Sequence, residues 1–150
     1  MKHYLIISSC LLGANCRYDG GTNALAEEIL AQLDKAFVLI PICPEQMGGL
    51  STPRLPAEIR GEKVIRKDEV DVTKEFQLGS REALNFAKRY KAKYALLKAN
   101  SPSCGNDKIY DGTFSDKLVK GKGTTAKEFF KVGIKVYNEK QINNLLNTEV

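Results

Sequence analysis

Tyr4-Leu5-Ile6-Ile7-Ser8-Ser9-Cys10 is a short apolar run, rich in β-branched residues, that ends on a cysteine. Its apolar side chains fall on both parities of the run, so a strand built from it is buried on both faces. That is the mark of a central strand in a parallel sheet. The same grammar returns twice. Phe37-Val38-Leu39-Ile40-Pro41-Ile42 leads into Cys43-Pro44-Glu45, and Tyr94-Ala95-Leu96-Leu97-Lys98-Ala99 leads, past Asn100, into Ser101-Pro102-Ser103-Cys104-Gly105. Open parallel α/β sheets bind ligands outside the carboxyl ends of their strands, at the topological switch point. Cys10, Cys43 and Cys104, far apart in sequence, are therefore expected to converge.

The intervening segments carry helical signals. Cys10 to Asn23 reads as a glycine turn and loop that also holds Cys16, with Asn23 placed as the N-cap of a helix over Ala24 to Lys35. Leu25, Ile29, Leu30 and Leu33 make one stripe of that helix. Asp71-Val72-Thr73 opens a long helix to about Ala92, with Thr73 as candidate cap. Thr124 or Thr125 caps a short helix through Lys131, Gly133 stops it, Ile134 to Tyr137 forms a fourth strand, and Ile142, Leu145 and Leu146 belong to a last helix. Ala57 to Arg60 and Lys63 to Lys67 flank Gly61-Glu62 and are predicted to pair as a small hairpin. Gln46 to Pro56 and Ile109 to Gly123 read as loops wrapping or covering the site. The β-helix-β order implies right-handed parallel crossovers. The expected architecture is α/β: one domain over residues 1–150, three layers, with a mainly parallel sheet and a small hairpin.

At 150 residues and 43% hydrophobic content, the chain suits one continuous core. No apolar run approaches the roughly 20 residues needed to cross a bilayer, and no signal-peptide cleavage region follows the first strand. A cytoplasmic location without a membrane partner is expected. Four cysteines in a reducing compartment argue against a disulfide framework and leave thiols, a metal or a cluster. The formal net charge of +5 admits an anionic partner. The lysines are scattered, however, and no basic-aromatic motif accompanies them, so they read as a solvated exterior rather than a nucleic-acid surface. A noncatalytic metal- or RNA-binding module is the alternative class.

Thiolates bind zinc, copper or iron-sulfur clusters. The lone histidine, His3, precedes the first strand instead of following it, and no C-x-x-C pair is present. Ligands drawn from distant loops suit a cluster on a preformed scaffold, with zinc as the alternative. Cys10, Cys43 and Cys104 share the strand-end position and are the expected ligands, whereas Cys16 lies further along its loop as a substitute ligand or a site-lining thiol. Three thiolates leave one iron of a four-iron cluster open, while four favour an electron-transfer or structural cluster. One cysteine alone is as readily a buried small hydrophobe. Glu45, two residues past Cys43, is placed to reach a bound molecule, and a carboxylate beside thiolates has its proton affinity raised. The plainer reading is a surface glutamate. Ser101 opens the loop that presents Cys104, whereas Ser103 equally suits a backbone cap. Arg17, Tyr18 and Asp19 offer a cation, a ring and an acceptor for a planar ligand, or a structural ion pair. An exchanging Cys10/Cys16 thiol pair is a third possibility.

Together, Cys10-Leu11-Leu12-Gly13 with Cys16-Arg17-Tyr18-Asp19-Gly20, Cys43-Pro44-Glu45, Ser101-Pro102-Ser103-Cys104-Gly105 and Tyr110-Asp111-Gly112-Thr113-Phe114-Ser115 resemble the DUF523 family of small bacterial proteins, from Ile6 to about Glu139. The resemblance implies a Rossmann-like fold and a [4Fe-4S] cluster held by three cysteines with the fourth iron free. It implies a catalytic carboxylate at Glu45 and a catalytic hydroxyl at Ser101. The implied activity is that of a thiouracil desulfidase-like enzyme, a non-redox desulfuration of a small thiolated pyrimidine to its oxo form with release of sulfide.

Overall fold

A computed structural model describes residues 2–148. In chain order its elements are β1 (His3–Ser8), a 3-10 turn (Ser9–Leu12), α1 (Glu27–Ala36), β2 (Phe37–Ile42), α2 (Pro44–Met47), β3 (Ala57–Arg60), β4 (Lys63–Arg66), α3 (Thr73–Arg89), β5 (Tyr94–Leu96), β6 (Lys108–Tyr110), β7 (Leu118–Lys120), α4 (Thr124–Lys131), β8 (Lys135–Tyr137) and α5 (Ile142–Thr148).

The main sheet runs β2-β1-β5-β8 with every pairing parallel. β1 has a neighbour on each side, which explains a run apolar on both parities: Leu5, Ile6 and Ile7 are fully buried. Ile6 faces one core with Ala83 and Ala87 of α3 and Ala126 and Phe129 of α4. Leu5 and Ile7 face the other, with Leu33 of α1 and Ile142 and Leu145 of α5. The result is a three-layer α/β/α arrangement around a mainly parallel sheet, as the strand pattern predicts. Because β2 lies on one side of β1 and β5 on the other, the switch point falls at the carboxyl ends of β1 and β5. Among the described residues no helix is long and apolar enough to cross a membrane.

The predicted hairpin is present as the antiparallel pair β3/β4. Other local expectations are corrected. Asn23 does not cap α1, which starts at Glu27 behind Ala26 with no side-chain cap. Instead Asn23 is drawn to the strand ends: its N–H donates to the Cys10 carbonyl at 3.0 Å and its amide oxygen accepts from Arg17 Nη1 at 3.0 Å. Thr73 is the first residue of α3 rather than its cap. Its hydroxyl accepts from the Val64 N–H at 2.9 Å, and Asp71 Oδ1 accepts the Thr73 N–H at 2.8 Å. Where the sequence predicts a loop over residues 109–123, a second antiparallel pair forms, β6/β7. Each strand is only three residues long, and Leu118 and Val119 are exposed, so no alternating pattern betrays them. A single helical turn, α2, also follows Cys43, with Pro44 in the first helical position where its missing N–H costs nothing.

α2 rests on α3 through two glycines. A Cβ at Gly48 would lie 1.9 Å from the Glu75 carbonyl oxygen, and one at Gly79 would lie 1.9 Å from the Pro44 carbonyl oxygen. Backbone therefore touches backbone, and that contact seats the segment carrying Cys43 and Glu45. Gly79 is inside α3, where alanine is intrinsically favoured by about 1 kcal/mol. Gly79→Ala is nevertheless expected to lower stability by about 2 kcal/mol or more, because the added methyl must push the two backbones apart. Urea denaturation reads the effect; a raised midpoint, the outcome that helix propensity alone dictates, contradicts the contact.

Candidate functional site

A cavity of about 480 Å³ opens at the carboxyl ends of β1, β2 and β5, and Cys10, Cys16, Cys43, Cys104, Glu45 and Ser101 all line it. Arg17 and Tyr18 line it too, while Arg17 also pairs with Asp19 at 3.1 Å. Ser103 is not among the lining residues. It is buried, and its hydroxyl shares a hydrogen bond with Thr125 at 2.9 Å, which in turn bonds Ser80 at 3.0 Å, so it ties the Cys104 loop to α4 and α3. His3 lies at the opposite end of β1, edge-on to Tyr94 with ring centroids 5.8 Å apart.

Each thiol is presented by a different local device. Cys10 sits in the 3-10 turn that ends β1, closed by Gly13 at φ +100°, and its carbonyl accepts from the Thr22 hydroxyl at 3.0 Å. Cys43 is the residue before α2. Cys104 depends on Ser101, whose hydroxyl oxygen accepts the N–H groups of Ser103 at 3.1 Å and Cys104 at 3.0 Å. Asn100, left-handed at φ 69°, turns the chain from β5 into that loop. Ser8 links two strand ends: its hydroxyl accepts the Lys98 N–H at 3.0 Å and donates to Cys104 Sγ at 3.5 Å.

Cys16, which the sequence places further along its loop, is hydrogen-bonded to both Cys10 and Cys43. Those bonds, outweighing burial, lower the Cys10 and Cys43 thiols to about 7, with Asn23 and Lys98 assisting Cys10. Cys16 keeps its proton, pushed far up by the same two bonds. Cys104 is pushed up to about 12 by burial, against the hydrogen bond from Ser8.

Glu45 projects from the first turn of α2, and its Oε1 lies 3.0 Å from Arg54 Nε. Burial pushes its carboxyl above the usual range, against the pull of Arg54. The Arg54 side chain is only 7% exposed. It is braced by bonds from Nη2 to the Cys16 carbonyl at 2.9 Å and from Nη1 to the Ser51 carbonyl at 3.1 Å and Thr52 Oγ1 at 2.9 Å. Sequence reasoning missed this arginine, since nothing local separates it from the other basic residues. Lys98 was likewise missed. It lines the cavity and pairs with Glu139 Oε2 at 2.6 Å, while Glu139 Oε1 accepts the Ala99 N–H at 2.8 Å. Burial pushes Glu139 up, but Lys98 and the backbone donors outweigh it and hold the carboxyl below its ordinary value.

Compared with known families, residues 5–141 match the model of the 2-thiouracil desulfurase family. The chain belongs to that family. The matched span contains all four cysteines together with Glu45 and Ser101, and it bears out the resemblance to DUF523 carried by the motifs. A curated relative of this chain, the uncharacterised protein YbbK of Bacillus subtilis (strain 168), is 40% identical over 152 residues, covering 95% of this chain and 99% of its own. Among solved structures, the [4Fe-4S]-dependent thiouracil desulfidase TudS is similar with a TM-score of 0.94 and 39% identity, over 98% of this chain and 97% of its own. The strand order and layers described above are thus those of a solved desulfidase fold.

Proposed function

We propose that this chain is an iron-sulfur-dependent desulfidase that converts a small thiolated pyrimidine to its oxo form. The observation that carries the proposal is one cavity, at the switch point of a 2-thiouracil desulfurase family fold, lined by four thiols, a half-buried carboxylate and a hydroxyl. Water replaces sulfur in this reaction, so R₂C=S and H₂O give R₂C=O and H₂S with no net electron transfer.

The donor set fits a [4Fe-4S] cluster. The cavity offers soft sulfur ligands and no imidazole. Among the described residues, no three His, Cys, Asp or Glu side chains form a single-ion site, the arrangement that zinc, the alternative metal, needs with sulfur about 2.3 Å from one centre. A cluster instead spreads its thiolates over a larger body. Cys10, Cys43 and Cys104 would hold it, with Cys16 bonded to two of them as neighbour or substitute. Bound by three thiolates, such a cluster supplies an open Lewis-acidic iron for a thiocarbonyl sulfur.

The chain's own groups handle protons and position. Glu45, its proton affinity raised by burial, takes a proton from the incoming water and returns it to the departing sulfur. Arg54 fixes the direction of that carboxylate through Nε. Ser101 Oγ already accepts two backbone N–H bonds, which leaves its own proton as the group to offer a ring nitrogen. Free thiols of this kind suit a reducing, cytoplasmic compartment.

The test is anaerobic reconstitution followed by a panel of 2-thiouracil, 4-thiouracil and thionucleosides. Loss of thiocarbonyl absorbance with one sulfide released per turnover is expected. A fully iron-loaded protein that turns over none of them defeats the substrate assignment.

A further inference from the structure

The loop between β6 and β7 is held in a way its own fold does not require. Its residues Phe114 and Asp116 line the cavity, as does Tyr110 at the end of β6. Phe114 and Asp116 are left-handed, at φ 56° and φ 62°. Such conformations are unfavourable for residues with a side chain and persist where the surroundings over-determine them. The two left-handed residues Glu69 and Lys91, by contrast, sit in turns that do not line the cavity.

What over-determines the loop is β3. Glu58, a buried carboxylate on that strand, accepts two N–H groups of the loop through Oε1, Gly112 at 2.9 Å and Phe114 at 3.1 Å. Arg60 Nε donates to the Gly112 carbonyl at 2.7 Å. Gly112 is pressed so close that a Cβ would lie 2.9 Å from the Ile59 carbonyl oxygen. The Arg60 guanidinium lies over the Phe114 ring at 5.7 Å from its centroid, and Phe114 lines the cavity whereas Arg60 does not. Phe114 is thus held from β3 at both its N–H and its ring.

We propose that Phe114 is a specificity-determining residue: its ring is the stacking wall that selects planar heterocyclic thiones, and Glu58 is the positioning residue that aims it. The proposal rests on the desulfidase reading and names the substrate class of that site. Thiolates, Glu45 and Ser101 address the sulfur, the carbon under attack and a ring nitrogen, and none of them recognises the face of a ring. An aromatic side chain does, because a conjugated heterocycle stacks on it at little entropic cost when the side chain is already fixed. Of the other rings that line the cavity, Tyr18 is 42% exposed and has no comparable clamp on its own N–H among the described contacts, and Tyr110 is a β6 residue paired with Leu118, with no cation over its ring among the described contacts. Acyclic thioamides offer the same C=S group but no ring to stack. Phe114 therefore separates the two classes.

The experiment compares wild type with Phe114→Ala, Phe114→Leu and Phe114→Tyr, all iron-loaded, on 2-thiouracil and on thioacetamide. In parallel, calorimetry measures the affinity for uracil, which has the ring without the sulfur. Phe114→Ala and Phe114→Leu are expected to raise KM for 2-thiouracil and weaken uracil binding about tenfold or more, with a much smaller change in kcat. Their selectivity for 2-thiouracil over thioacetamide falls by the same factor, and Phe114→Tyr restores all three values. Glu58→Ala is expected to reproduce the KM and uracil effects, and Glu58→Gln, which keeps an acceptor oxygen for both N–H groups, to retain near wild-type values. An active wild type whose uracil affinity and KM are unmoved in Phe114→Ala and Phe114→Leu overturns the stacking role alone. So does a loss confined to kcat. A wild type inert towards every ring thione removes the desulfidase reading, and the stacking role falls with it.

Discussion

Glu45→Gln is expected to lower the turnover of the iron-loaded protein by about 10²-fold or more while leaving its iron content unchanged. Glutamine has the shape of glutamate and keeps a carbonyl oxygen for Arg54 Nε, so α2 and the brace around Arg54 should survive. What disappears is the capacity to take up and return a proton. Burial gives that capacity its reach, since it raises the proton affinity of Glu45 against the pull of the guanidinium. Because Glu45 contributes no sulfur, metal analysis and the visible spectrum should match wild type. A Glu45→Gln protein as active as wild type would refute the proton-carrying role.

The second large effect concerns the ligands. Cys10→Ala, Cys43→Ala and Cys104→Ala are each expected to abolish both iron uptake and desulfuration, whereas Cys16→Ala should retain the iron. Iron per chain after anaerobic reconstitution is the readout. Cys104 is the discriminating position. Burial pushes its thiol up to about 12, so it resists ionising until a cation is offered, and binding there must release a proton. Cys10 and Cys43 need no such help, because Cys16 lowers both to about 7. Loss of iron in Cys16→Ala with full iron in Cys104→Ala would exchange these two residues in the ligand set. Such an outcome would leave the other two ligands in place.

The parts of this molecule legible in the sequence are those decided by burial. Leu5, Ile6 and Ile7 are apolar on both parities because helices cover both faces of β1, and that pattern led to the parallel sheet and to strand ends bearing cysteines. Elements decided by hydrogen bonding were harder to read. Asn23 has the chemistry of a helix cap, yet its amide oxygen accepts from Arg17 Nη1 while its N–H goes to the Cys10 carbonyl, so partners in the site loop outcompeted the helix end. β6 and β7 are three residues each and β7 is exposed throughout, so their pairing leaves no hydrophobic period. Arg54 and Glu58 matter through contacts to Glu45 and to the loop at Gly112, and such long-range geometry has no signature in the residues beside them.

The seam between Gly48 and Gly79 also sets where the chain tolerates a change of length. Each helical residue turns the helix by about 100°, so one inserted residue between Thr73 and Gly79 would swing Gly79 away and bring a side chain under the Pro44 carbonyl. The clash is with main chain on both sides, so no compensating side-chain truncation relieves it. The β3–β4 turn at Gly61 has open space around it, by contrast, and absorbs insertions without moving α2. α3 thereby acts as a ruler with its zero mark at the switch point, and insertions that spare the carboxylate belong in the hairpin turn and not in the first two turns of that helix.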